Sequence, residues 1–138
     1  MNRDNPRLLE IAQWLVAQED RATDHTRTPS AVRVAQKLRR PISTLAGASG
    51  FHSLLARALS LAKYREPGLS QIAVNPDGSL EGFDALANGH ANEAGALLIA
   101  QLLGLLTNFI GEPLTLRLLN DAWPDMPDIE KNSLREPK

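Results

Sequence analysis

Between Glu93 and Glu112 the chain runs for eighteen residues without a charge, from Ala94 to Gly111, and most of them are Leu, Ala, Ile or Gly. A helix of that composition is apolar on every side, so it must be enclosed either by protein or by lipid. The run just reaches the length at which a membrane span has to be considered. Gln101, Thr107 and Asn108 interrupt it, and neither a cluster of Lys and Arg nor an aromatic belt flanks it to fix an orientation in a bilayer. The run is therefore expected to be the central helix of a protein core, with no membrane contact. Ala96, Ala100 and Gly104 fall at spacings of four and form a small-residue ridge along which a second helix can approach closely. Short neighbouring helices leave part of such a helix uncovered, so a homodimer formed along this ridge is expected.

The rest of the chain supplies cover. With 138 residues, 43% of them hydrophobic, there is apolar material for one domain, placed at 1–124 and followed by a polar, mobile tail at 125–138. Asn5-Pro6 reads as a cap followed by a first-turn proline, and Leu8, Ile11, Ala12 and Leu15 give a helix over about 6–19. Thr28-Pro29 repeats that signal. Ala31, Val34, Ala35 and Leu38 form the inward stripe of the second helix, with Arg33, Lys37 and Arg40 on its other side, and the helix is expected to stop or bend before Pro41. A small-residue stretch at 42–50 leads to a third helix over about 51–64, which Pro67-Gly68 ends. Ile72 and Val74 before Asn75-Pro76-Asp77-Gly78, with Leu80 and Phe83 after it, predict a hairpin at about 70–84. Beyond the apolar run, Gly111-Glu112-Pro113 marks an interruption, Leu116, Leu119 and Trp123 continue a helical stripe, and Pro124 closes it. The expected fold is mainly α: a compact bundle of four to five helices with one short β-hairpin.

Fifteen basic residues against sixteen acidic ones conceal a strong segregation. Residues 1–24 carry a net charge of −2, residues 25–65 carry +8 with no acid among them, and residues 66–138 carry −7. An acid-free stretch of this length creates a local positive field that attracts a polyanion or an acidic protein surface. Arg33, Lys37, Arg39, Arg40, Ser43, Thr44, Ser49 and Arg57 are the candidate residues for binding such a partner or an anion.

Several kinds of chemistry are excluded or have no motif. The absence of cysteine removes disulfides, thiolate metal sites, iron–sulfur clusters and thiol catalysis. His25, His52 and His90 stand singly, without the helical spacing that aims two ligands at one ion, so no metal and no other cofactor is expected. In His90-Ala91-Asn92-Glu93 the asparagine reads as a helix cap with Glu93 complementing the dipole. Gly47-Ala48-Ser49-Gly50 lacks both the closing glycine of a nucleophile elbow and the Lys of a phosphate loop, although a helix start after Gly50, beside Arg39, Arg40 and Arg57, offers amides to an anion. Val34 to Leu38, a turn at Pro41, and Ser43-Thr44-Leu45 opening a second helix also fit a helix-turn-helix, with Gly47 and Gly50 inside the would-be recognition helix.

Leu38-Arg39-Arg40-Pro41-Ile42-Ser43-Thr44-Leu45-Ala46-Gly47 resembles the segment after the phosphorylated histidine of sensor histidine kinases. Gln36 occupies the histidine's place, so the resemblance implies a helical dimerisation hairpin and no kinase activity. The expectation from sequence is a non-enzymatic regulatory or adaptor protein, acting through protein contacts of a homodimer and meeting an acidic partner with its 25–65 segment. The alternative is a nucleic-acid-binding regulator using the same segment. The opening residues Met1 to Pro6 contain no apolar export signal, and a cytoplasmic location is expected.

Overall fold

The structure, a computed structural model, describes residues 6–22, 29–83 and 88–126. Its elements are α1 (Pro6–Ala22), α2 (Ser30–Arg65), a 3-10 turn (Pro67–Gln71), β1 (Ala73–Val74), β2 (Leu80–Glu81), α3 (Asn88–Ile110) and α4 (Glu112–Ala122). This is the mainly helical bundle with one small antiparallel hairpin that the sequence predicts.

The uncharged run lies in α3, and α1 and α2 both pack along it. Leu98, Ile99, Leu102, Leu103 and Leu106 have no solvent exposure. Burying each contributes about 1.5–3 kcal/mol, more than any surface ion pair, so α3 sets the packing of the whole chain. Asn92–Ile110 is long and apolar enough to cross a membrane, yet 67% of it is enclosed by the chain's own residues. Ala96, Ala100 and Gly104 are among the buried ones. The small-residue ridge expected to join two protomers therefore faces the interior of one, where the neighbouring helices already cover it. Gly95, one position away, marks the closest approach: a Cβ there would overlap the Ala31 Cβ at the start of α2. Because α3 begins at Asn88, Asn92 sits inside the helix rather than capping it.

Pro41 does not end the second helix. α2 continues through it and breaks instead at Gly47, whose φ of 84° and ψ of 163° lie outside the helical region. A proline inside a helix costs about 3 kcal/mol through a lost hydrogen bond and a clash. Here Leu38 and Ile42, one on each side of it, are both fully buried on one stripe with Val34, and their burial outweighs that cost. At Gly47 a left-handed turn is open to glycine without penalty, so the two halves of α2 change direction there. The small-residue stretch 42–50 is thus helical on both sides of one corner. The Asn5 and Thr28 caps lie outside the described residues, and Pro29 with its extended backbone, rather than Thr28, flanks the first helical residue of α2.

The hairpin pairs Ala73 with Glu81 and Val74 with Leu80. Its turn is closed by the Gly78 amide donating to the Asn75 carbonyl at 2.8 Å and by the Asn75 amide donating to the Ser79 carbonyl at 2.8 Å. Two strands of two residues are not stable alone. Gly78 lies flat against the Phe51 ring, which a Cβ would meet at 3.3 Å, and so seats the turn on the second half of α2. At the other end of the chain Trp123 and Met126 are buried, so the packed domain reaches two residues beyond Pro124; residues 127–138 lie outside the described residues.

Gly95→Ala tests the α2–α3 contact. The added methyl gains up to about 1 kcal/mol of helix propensity but forces the helices apart, a cost of about 1–3 kcal/mol, so a net loss of stability is expected in urea denaturation. Combining it with Ala31→Gly should cost less than the two single changes added together; simple additivity would show that the two positions do not touch.

Candidate functional site

One carboxylate organises the basic segment. Glu19, in the last turn of α1, is only 2% exposed. Its Oε2 accepts from Lys37 Nζ at 2.6 Å and from the Trp123 indole Nε1 at 3.0 Å, while its Oε1 faces Arg33 Nε at 3.3 Å. Lys37 Nζ also stands 5.4 Å from the centre of the Trp123 ring. A single acid thus ties α1, the first half of α2 and the residue that ends α4. Ser30 Oγ donates to Asp20 Oδ1 at 3.1 Å and adds a second link between α1 and the start of α2. Burial by itself would raise the Glu19 carboxyl, but the hydrogen bonds from Lys37 and Trp123 and the positive charges of Lys37 and Arg33 outweigh it and hold the group below the usual carboxylate range.

Above this clamp α2 and α4 lie side by side and leave a groove of about 490 Å³ between them. It is lined by Lys37, Arg40, Pro41, Thr44 and Leu45 from α2, and by Leu114, Arg117, Leu118, Asp121 and Ala122 from α4. The two sets have the same spacing, so each is one stripe of one helix, and the stripes face a common cleft. Its apolar lining is Pro41, Leu45, Leu114, Leu118 and Ala122, and its exposed rim carries Lys37, Arg40 and Arg117 against Asp121. Leu45 and Leu114 are 49% and 41% exposed, unlike the rest of the leucines around α3. Among the described residues neither Arg40 nor Arg117 has a carboxylate within salt-bridge distance.

A second cleft, of about 610 Å³, opens where the hairpin meets α2. Arg39, Ser49, Phe51, His52, Ser53 and Asp77 are among the residues that line it. The Asp77 carboxylate accepts from the Ser79 hydroxyl and amide, which, with a smaller effect of the Arg39 charge, keeps it below its ordinary range.

The eight candidate residues thus do not line one cleft. Arg33 and Lys37 are matched to Glu19. Arg40 and Thr44 belong to the α2–α4 groove, Thr44 Oγ1 donating to the Arg40 carbonyl at 3.0 Å. Arg39 and Ser49 line the second cleft, so neither of these two clefts brings Arg39, Arg40 and Ser49 together. Ser43 is half-buried and Arg57 exposed, and neither lines either cleft. Successive arginines at 39 and 40 diverge because neighbours on a helix point about 100° apart. The turn of the helix-turn-helix reading is absent, since α2 is helical from Ser30 through Ala46. His25 and the His90 side chain lie outside the described residues; among those described, no three His, Asp or Glu side chains come together.

Sequence reasoning passed over the apolar half of the groove. In α4 it placed Leu116, Leu119 and Trp123 inward, whereas Thr115, Leu118 and Leu119 are the buried helical residues and Leu116 is half-buried. The repeated spacing of 37, 40, 41, 44, 45 and of 114, 117, 118, 121, 122 was the signal available, since each reads as a stripe mixing leucine with arginine.

The clamp makes stability depend on pH. Because the folded Glu19 carboxyl titrates below its unfolded value, its stabilisation is complete above about pH 4.3 and is lost as pH falls through the lower folded pKa. Glu19→Gln should therefore cost about 1–3 kcal/mol at pH 7 in urea denaturation, and the gap from the parent protein should narrow below about pH 4. A gap that stays constant across this range would mean that the charge of Glu19 contributes nothing. Comparison with protein-family models, with curated proteins and with solved structures finds no match to the chain.

Proposed function

We propose that this chain is a non-enzymatic regulatory or adaptor module that works through protein contacts, and that its contact surface is the α2–α4 groove. The observation that carries this reading is the pair of half-exposed leucines, Leu45 and Leu114, brought from residues far apart in sequence into one cleft whose rim has unmatched arginines. An apolar channel with a polar edge is the anatomy of a binding surface for another protein. The expectation of an acidic partner for the basic segment narrows to Arg40, joined by Arg117 from outside that segment. A duplex-binding role has less support, because Arg33 and Lys37 are held by Glu19 and the successive Arg39 and Arg40 line separate clefts. Homodimerisation through Ala96, Ala100 and Gly104 is not part of the proposal, since those residues are interior.

A photo-crosslinking amino acid placed at Leu45 or at Leu114 should yield the same discrete protein adduct when the full chain is irradiated in the cells that make it. The same group at Tyr64, which is highly exposed on the second half of α2 and lines neither cleft, should not. Equal labelling from all three positions, or no adduct from the two groove positions, would overturn the assignment of the surface.

A further inference from the structure

The groove has the shape and charge to receive one particular kind of partner. Each wall is a helical stripe of nine residues, 37–45 on α2 and 114–122 on α4, which at 1.5 Å per residue is about 12 Å long. Two helices lying side by side with such stripes open between them leave a channel that a third helix fills, ridge into groove. Both walls carry apolar and cationic side chains together, so an occupant must present leucine-like side chains to the one and opposite charge to the other at helical spacing. The unmatched charge of the rim is positive. Glu19 sets one negative charge against both Lys37 and Arg33, and Asp121 offsets one of the two remaining cations, so the rim keeps a positive excess that acids alone can meet.

We infer that the α2–α4 groove is the seat of an acidic amphipathic helix, about two to three turns long, supplied by a partner protein. This rests on the reading of the chain as a protein-interaction module. The helix would place apolar side chains at i, i+3 or i+4, and i+7 on Pro41, Leu45, Leu114 and Leu118, with Asp or Glu on its flanks against Arg40 and Arg117. A second copy of the chain fits less well: it would bring its own Arg40 and Arg117 to the contact and double the positive excess, with only Asp121 of each chain to answer it. Nucleic acid fits less well again, because phosphates would use the rim and leave the leucine-lined floor without a partner.

The probe is a fluorescein-labelled peptide of about four helical turns, with leucines at i, i+3, i+4 and i+7 and glutamates on both flanks, titrated with the full chain by fluorescence anisotropy. A matched peptide carrying lysine in place of each glutamate, and a mixed duplex DNA of similar length, complete the panel. The acidic peptide should bind at least tenfold more tightly than the lysine peptide, and added salt should weaken it. Arg40→Glu with Arg117→Glu should reverse the preference between the two peptides. Because both arginines are exposed, these changes should leave the circular dichroism spectrum and melting temperature unchanged, so a reversal cannot come from unfolding. Equal binding of the two peptides, no binding of either, or preference for the DNA would overturn the inference. So would a dimer in sedimentation whose formation Leu45→Asp abolishes, since the occupant would then be a second copy. A groove-specific adduct in the crosslinking experiment together with failure of the acidic peptide would reject this occupant while leaving the interaction module in place.

Discussion

Everything in this molecule is arranged around the need to keep α3 away from water. Its leucines and isoleucine project to all sides, so cover on a single face cannot satisfy them. Helices α1 and α2 supply the larger part of the enclosure and α4 folds back after the corner at Gly111, where φ is 90°. Small residues are what make that enclosure possible within one chain. Gly95 lets α3 come against Ala31, and the ridge of Ala96, Ala100 and Gly104 is spent inside the protomer. A feature that in isolation reads as an assembly surface becomes ordinary close packing once the rest of the chain has wrapped around it.

The Glu19 clamp is the electrostatic counterpart of that enclosure. Apolar packing is permissive about the angle and register of neighbouring helices, whereas a buried carboxylate accepts its partners only from particular directions. By holding Lys37 and the Trp123 indole on one oxygen, Glu19 sets the end of α4 beside the first half of α2. The α2–α4 groove exists because those two helices are held side by side with their outer stripes unfilled. The clamp also engages two of the cations that make residues 25–65 look uniformly positive, its one negative charge offsetting one of them. The groove's other cations are one arginine from that segment and one from α4, with Asp121 to offset one of them, so the proposed contact surface is smaller and more apolar than a count along the chain implies.

Much of the fold was legible before the structure. The tight turn at Asn75-Pro76-Asp77-Gly78, the end of α2 before Pro67, the break at Gly111 and the central place of the uncharged run all follow from local rules, and each is where those rules put it. Pro41 was misleading for a physical reason. Its local penalty is real, but the burial of Leu38 and Ile42 on the same stripe is a non-local gain that no window of sequence contains. Less of the candidate site was legible. Arg40 and Thr44 stood out as members of a basic segment, while Leu45 and Leu114 carried no mark distinguishing them from core residues, since a leucine is equally at home inside or half outside.

The sequence by itself determined that one helix must be surrounded, that the chain turns at particular prolines and glycines, and that positive charge is concentrated before residue 66. These are properties of neighbours along the chain, governed by backbone sterics and helical or strand period. The tertiary structure alone decided which cations are neutralised, which small residues are hidden and which leucines are left facing solvent. Those depend on contacts between residues as far apart as Glu19 and Trp123, and such contacts are selected by the global competition for burial.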